Sequence, residues 1–279
     1  MKNSFCIKTP ENQEINATAY GNPETSSDIV IVVHGFKGFK DWGFFPYLCE
    51  KLSEAGFYAV SFNFSHNGIG QDMLNFSEPG KFSENTPSLE LDELKEVINY
   101  CYSNFCRDND RKIHLLGHSR GGGIALLTGA KDPRINSVVL WASIATFERW
   151  TKRQIAEWRK TGFLEVVNSR TKEIMRMNAT TIDDIEMNKG DKLNVLKAAA
   201  EFKRPLCIVH GDNDLAVPAA EGRAILDAAD PEMTEMHLIC KTGHTFDVTH
   251  PFISSNEKLE KIIKFTVEFL RKISERQKK

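Results

Sequence analysis

The chain has no apolar run approaching the ~20 residues that cross a bilayer, so no membrane span is expected. Its opening residues, Met1-Lys2-Asn3-Ser4-Phe5-Cys6, lead into alternating polar and apolar positions rather than the apolar core of a signal peptide, and none is expected there. An excess of one charge is missing too. Lys and Arg number 36 against 38 Asp and Glu, a formal charge of −2, and no segment gathers the cations into a stripe, so a nucleic-acid partner has no support. Cysteine is sparse, with six scattered residues (Cys6, Cys49, Cys101, Cys106, Cys207, Cys240) and no C-x-x-C or His/Cys group at metal-ligand spacing. Neither a disulfide framework nor a structural metal is expected. Cys6, Cys207 and Cys240 read as small buried strand residues, hence as reduced thiols in a cytoplasmic-type protein. The phosphate-binding signatures G-x-x-x-x-G-K-[ST] and G-x-G-x-x-G are also absent.

What is present is a core. The 279 residues are 41% hydrophobic and 27% charged, room for one large α/β domain. Residues 4–8 and 15–20 flank Thr9-Pro10-Glu11-Asn12-Gln13, which predicts an antiparallel hairpin at the start. Ile29-Val30-Ile31-Val32-Val33 is a continuous β-branched run of the kind covered on both faces of a sheet. Further strands are predicted over 57–62, 112–116, 135–142, 205–210 and 235–240, with helices over 44–55, 89–105, after Ser119, and over about 256–273. Strands alternating with helices predict a mostly parallel sheet flanked by helices. The polar stretch carrying Pro79 and Pro87 reads as a long loop, and Arg271-Lys272 through Lys279 as a basic helix end and solvated tail. One segment, 146–203, is far longer than a crossover requires. It holds Trp150, Trp158, Phe163, Met175 and Met177, with a possible hairpin of 163–167 and 173–177 joined through 168–172. It is read as a cap insertion, within a single domain of residues 1–279, over the strand ends where open α/β sheets bind ligands.

The chain is organised around Gly117-His118-Ser119-Arg120-Gly121, set between the apolar run ending at Leu116 and the helical Gly122-Gly123-Ile124-Ala125-Leu126-Leu127. A strand, a turn too tight for most side chains, and a helix would leave the Ser119 hydroxyl bare at the bend. A serine needs a base, and the base needs an orienting acid. The turn His210-Gly211-Asp212-Asn213-Asp214-Leu215-Ala216-Val217-Pro218 offers the acid, as Asp214 or Asp212. The turn Lys241-Thr242-Gly243-His244 offers the base, with His250 before Pro251 as the rival. Both turns follow strands, on the sheet edge where Ser119 sits.

With His34-Gly35-Phe36-Lys37-Gly38, these motifs resemble the α/β-hydrolase superfamily, in the branch of bacterial feruloyl/cinnamoyl esterases and serine-aminopeptidase-like (S33-type) hydrolases. The match runs in family order over about residues 28–275. The resemblance implies an α/β-hydrolase fold and a Ser119, Asp214, His244 triad, with Asp212 a turn former. It implies backbone N–H groups of Phe36 and Arg120 as the oxyanion donors, and no cofactor or metal. It implies a serine hydrolase of small-to-medium or aryl carboxylic esters. Phe36, Lys37, Trp150 and Trp158 are candidate substrate contacts. Phe39, Trp42, Phe44 and Phe45 crowd the same loop, and aromatic walls suit an aryl group. The alternatives on the same fold are an aminopeptidase, which would cleave amino-acyl arylamides, and a thioesterase or acyltransferase. From another class, a binding protein on this fold would ordinarily lack a member of the triad.

Overall fold

The structure is a computed structural model that describes residues 1–106, 111–168 and 173–276. β1 (Lys2–Lys8) and β2 (Glu14–Tyr20) form the opening antiparallel hairpin, with Ile7 opposite Ile15. Then follow β3 (Ile29–Val33), α1 (Phe45–Glu54), β4 (Tyr58–Phe62), α2 (Pro79–Glu84), α3 (Pro87–Phe105), β5 (Ile113–His118), α4 (Arg120–Lys131) and β6 (Ile135–Trp141). The excursion beyond β6 contains α5 (Lys152–Thr161), β7 (Phe163–Val167), β8 (Ile174–Asn178), α6 (Ala179–Asn188) and α7 (Val195–Glu201). The chain closes with β9 (Leu206–Gly211), α8 (Ala219–Ala228), β10 (Thr234–Ile239) and α9 (Glu257–Arg276).

One eight-stranded sheet runs β1-β2-β4-β3-β5-β6-β9-β10. From β4 to β10 the pairs are parallel, and the opening hairpin joins antiparallel through β2 and β4. The fold is the α/β architecture expected. Every residue of β3 is buried, because helices cover both faces of the sheet there. On one face, α1 and α9 pack through Leu48, Leu52, Leu259, Ile262 and Leu270. On the other, α3, α4, α7 and α8 contribute Leu94, Ile98, Ile124, Ala198 and Ile225. No helix among the described residues is long and apolar enough to cross a membrane.

The excursion divides in two. Its hairpin pairs β7 with β8, Val166 opposite Met175, and packs with α5 and α6 around a small core of Trp158, Met175, Met177 and Ile182. Its final helix α7 packs instead between α4 and α8, as an ordinary crossover helix does. Residues 169–172, expected from the sequence to join the hairpin, and those beyond Arg276 lie outside the described residues. The stretch read as a loop before Pro87 contains α2, whose first residue is Pro79 and whose Phe82 enters the cap core. α3 begins earlier than the apolar spacing implied, since Thr86 caps it through the Leu89 N–H (3.2 Å) and Pro87 fills its first position. Cys6 and Cys240 are exposed rather than buried: Cys6 lies on edge strand β1, where only Ile7 is covered, and Cys240 follows the end of β10.

Strand β5 and helix α4 meet without room for side chains. A Cβ on Gly117 would strike the backbone of Gly121 and Gly122, and one on Gly121 would strike the carbonyls of Val33 and His34. Gly121→Ala should therefore cost roughly 1–3 kcal/mol in urea unfolding. Gly190→Ala, whose new methyl meets open space, should stay within ~0.5 kcal/mol. Equal stability of the two variants would contradict this packing.

Beneath the same corner, α3 buries Glu93, which accepts from the Ser65 N–H (2.9 Å) and lies against the Ser65 hydroxyl. Burial pushes its carboxyl up to about 7, with Glu90 adding to the rise and the Ser65 bonds opposing it. An unfolded glutamate ionises near ~4.3. The stability from keeping Glu93 protonated is therefore complete below that value and is lost as pH rises through 7. Glu93→Gln should gain on the wild type by roughly 2–3 kcal/mol between about pH 5 and about pH 8 in denaturant titrations. A difference that does not change over that range would contradict the assignment.

Candidate active site

Ser119 sits between β5 and α4 with φ +59° and ψ −124°, a conformation that L-residues rarely adopt and that costs ~1–3 kcal/mol. Three backbone bonds hold it there. Its N–H donates to the Trp141 carbonyl (2.9 Å), and its carbonyl accepts from Gly122 (3.0 Å) and Ile144 (3.3 Å). The bend carries the hydroxyl clear of the strand, with the first turn of α4 behind it.

His244 lies in the turn after β10, three strands from β5 in the sheet, a lateral distance of roughly 14 Å at ordinary strand spacing. The turn spans that distance and delivers the imidazole to the serine: Nε2 is 2.9 Å from Ser119 Oγ. Nδ1 is 2.7 Å from Asp214 Oδ2, on the turn after β9. The other Asp214 oxygen accepts the N–H groups of Ala216 (2.9 Å) and Val217 (2.8 Å). Burial would raise this carboxyl, but bonds from His210, His244 and Val217 outweigh it and hold the group well below the usual carboxylate range. The aspartate stays charged and accepts the Nδ1 proton, leaving Nε2 free to take the one on Ser119. Asp212 stands outside this chain of bonds and accepts from the Thr242 N–H (3.4 Å). His250 accepts from the Gly43 N–H (2.9 Å) and packs edge-on against Phe39.

Two other histidines fix the relay from behind. His118, held neutral by burial that pushes it down to about 3, donates from Nε2 to the His244 carbonyl (2.9 Å), anchoring the long turn to β5. His210 donates from Nε2 to the Val217 carbonyl (2.9 Å) and faces Asp214 Oδ2 at 3.5 Å, closing the acid turn. The position of His210 after a strand end already suggests a loop-fixing role, whereas sequence spacing hides that of His118, which depends on a distant loop folding back over a strand end.

The loop after β3 passes directly over the serine: a Cβ on Gly35 would lie 2.8 Å from Ser119 Cβ. His34, pushed down to about 4 by burial, accepts the Phe64 N–H at Nε2 (3.2 Å) and donates from Nδ1 to the Gly35 carbonyl (2.9 Å). Phe36 is stacked on Phe82 (5.6 Å between centroids), and the Arg120 guanidinium lies 4.5 Å from its ring. Arg120 in turn is paired with buried Glu90. Arg120 opens α4, so its own N–H has no carbonyl within the helix and lies at the positive end of the helix dipole, next to the serine in the chain.

Two cavities meet at Ser119 and His244, parted by Phe36 and Lys37. The first, about 430 Å³, is walled by Phe39, Trp42, Phe45, Ile69, Phe76 and Met175, with Asn67 and His250 as polar groups. The second, about 370 Å³, is walled by Ile144, Phe147, Trp150, Ile185 and Val217, with Arg120 and Arg149. Arg149 is held by Glu221 (2.8 Å) and the Ala216 carbonyl (2.8 Å), which ties the start of the cap to the acid turn. Lys37 donates to the Val167 carbonyl (3.3 Å), tying the loop over the serine to the cap hairpin. Trp158, a candidate substrate contact in the sequence, lines neither cavity. It is 1% exposed, its indole N–H donates to the Met177 carbonyl (2.9 Å), and it packs edge-on behind Trp150. The sequence does not mark Ile69, Phe76 and Met175 as wall residues: an antiparallel bridge within the loop before α2 joins Ile69 to Phe76, and the pairing of β7 with β8 sets Met175.

The comparisons with known proteins agree with this architecture. The chain is 24% identical over 239 residues, 75% of its length and 80% of theirs, to uncharacterized 31.7 kDa proteins of the traX-finO intergenic region of Escherichia coli. Among solved structures it is similar to Est1E from Butyrivibrio proteoclasticus with ferulic acid bound, at a TM-score of 0.71 and 21% identity over 96% of this chain and 98% of that one. It is also similar to the alpha/beta hydrolase GrgF from Penicillium sp. sh18, at a TM-score of 0.75 and 16% identity over 98% and 99% of the two chains. The model of the family described as serine aminopeptidase, S33, matches residues 24–192, more than half the chain. On this match the chain belongs to the serine aminopeptidase, S33, family of the α/β-hydrolase superfamily.

Proposed function

We propose that the protein hydrolyses carboxylic esters by acyl transfer through Ser119. The observation that carries the proposal is the unbroken chain Ser119 Oγ–His244 Nε2, His244 Nδ1–Asp214 Oδ2, at 2.9 and 2.7 Å, where two largely apolar cavities meet. His244 takes the serine proton as Oγ attacks the ester carbonyl carbon, and Asp214 stabilises the imidazolium that results. The backbone N–H groups of Phe36 and Arg120 hold the oxyanion, each contributing ~3–4 kcal/mol to the transition state. The leaving alkoxide departs with the proton from His244, and water, activated by the same base, releases the acid. No cofactor enters this sequence.

The family's description raises a second reading, removal of an amino-terminal residue from a peptide. Such a substrate presents an ammonium group beside the scissile bond. Among the described residues lining the two cavities there is no Asp or Glu, while Lys37, Arg120 and Arg149 are all cationic. An ammonium would enter without a carboxylate on either wall, and Arg120 and Arg149 are already paired with Glu90 and Glu221, which favours a neutral acyl group. The aromatic walls, and the ferulic acid bound by Est1E, favour an aryl-bearing ester. Within the insertion over 146–203, the β7–β8 hairpin with α5 and α6 serves as the lid, while α7 belongs to the main core. The six free cysteines fit a reducing compartment, and we place the protein in the cytoplasm.

Steady-state assays with aryl and hydroxycinnamoyl esters beside amino-acyl arylamides should show turnover of the esters alone. Arylamide cleavage with indifference to esters would reverse the assignment. Asp214→Asn should lower kcat by about 10⁴-fold with a much smaller change in KM, because it spoils the imidazole tautomer and leaves the walls intact.

A further inference from the structure

At the opposite end of the sheet from Ser119, three metal-ligating side chains converge. Cys207 is the second residue of β9 and Glu235 the second of β10, direct partners in the parallel register. His237, two residues on, shares the face of β10 that Glu235 occupies. One ligand atom from each of the three lies within 4.8 Å of the others. His237 Nε2 is 3.2 Å from Glu235 Oε1. The imidazole is also fixed from above, stacked on the Phe265 ring of α9 at 4.1 Å and 13°.

We propose that Cys207, Glu235 and His237 form a binding site for a divalent transition-metal ion, with zinc the best match. A thiolate, an imidazole and a carboxylate are the donor types that zinc takes, whereas calcium and magnesium require oxygen ligands throughout. Cys207 supplies a fully buried sulfur, while Glu235 and His237 are only partly buried, so an ion can enter from the open edge and keep water in the fourth position. Metal uptake exchanges the Cys207 S–H bond for a sulfur–metal bond and releases the proton to solvent. The ligated ion would clamp edge strand β10 to β9 and so brace the strand from which the His244 turn departs. Sequence spacing conceals the cluster because its members come from two strands separated by α8.

The test uses the full chain stripped by a chelator and titrated with cobalt(II), then with zinc. One cobalt per chain should give visible bands of a tetrahedral ion and a thiolate-to-cobalt charge-transfer band in the near ultraviolet, both abolished by stoichiometric zinc. Cys207→Ser should remove the charge-transfer band. His237→Gln and Glu235→Gln, which leave the core untouched, should each weaken binding at least ~10-fold. Cys6→Ser and Cys240→Ser, at the exposed thiols, should change nothing. Absence of a saturable band, cobalt affinity unchanged in both His237→Gln and Glu235→Gln, or a band that disappears with Cys240→Ser overturns the proposal. Ester turnover is read separately, so failure here leaves the reading of Ser119 standing.

Discussion

The close approach of β5 to α4 is the constraint on which the rest depends. Gly117 lets β5 and α4 pack backbone against backbone, Gly121 seats α4 against the carbonyls of Val33 and His34 at the end of β3, and Gly122 leaves room for Ser143, so the turn between strand and helix is confined on all sides. It forces Ser119 to positive φ, a conformation its side chain disfavours, and the backbone bonds to Trp141, Gly122 and Ile144 hold it there. The hydroxyl is thereby presented at a fixed point on the sheet edge, and every other part of the site is placed relative to it. The loop after β3 can cross the serine closely only because Gly35 has no side chain to meet it.

From that point the difficulty is lateral. Asp214 and His244 leave the sheet at β9 and β10, and Ser119 at β5, so two turns must lean across β6 and keep their positions. Buried neutral histidines do this work. His118 ties the His244 turn to the strand that carries the serine, and His34 sets the loop over it. Desolvation keeps both uncharged, which makes each a fixed donor or acceptor rather than a second base competing for the serine proton. A further chain, from buried Glu90 to Arg120 to the Phe36 ring to Phe82, joins α3, α4, the loop over the serine and α2. The cap and the elbow are therefore packed parts of one structure.

Much of this is legible in the residue order. The β-branched run 29–33, the apolar face of the last helix and the glycines around Ser119 each admit few local structures, and their element types came out as read. Motifs after strand ends also announce which loops share an edge, since a parallel sheet places all its carboxyl ends together. The walls of the site are another matter. A tryptophan in an insertion can face a cavity or fill a core, and Trp158 fills the core while Trp150, its neighbour, faces the cavity. Helix α2 is too short and polar for periodicity to reveal it, yet it brings Phe82 beneath Phe36. Cys6 and Cys240 sit beside apolar residues in sequence but on a sheet margin in space. Burial at an edge depends on what covers it, which no local pattern records.

The reactivity of Ser119 tests the proposed acyl transfer most directly. Incubation with a fluorophosphonate, followed by intact mass measurement and peptide mapping, should give one adduct per chain, located on Ser119. Labelling should be absent in Ser119→Ala and much slower in His244→Ala, with both variants folded by circular dichroism. A folded wild-type chain that takes up no label, or an adduct at another serine, would contradict the account.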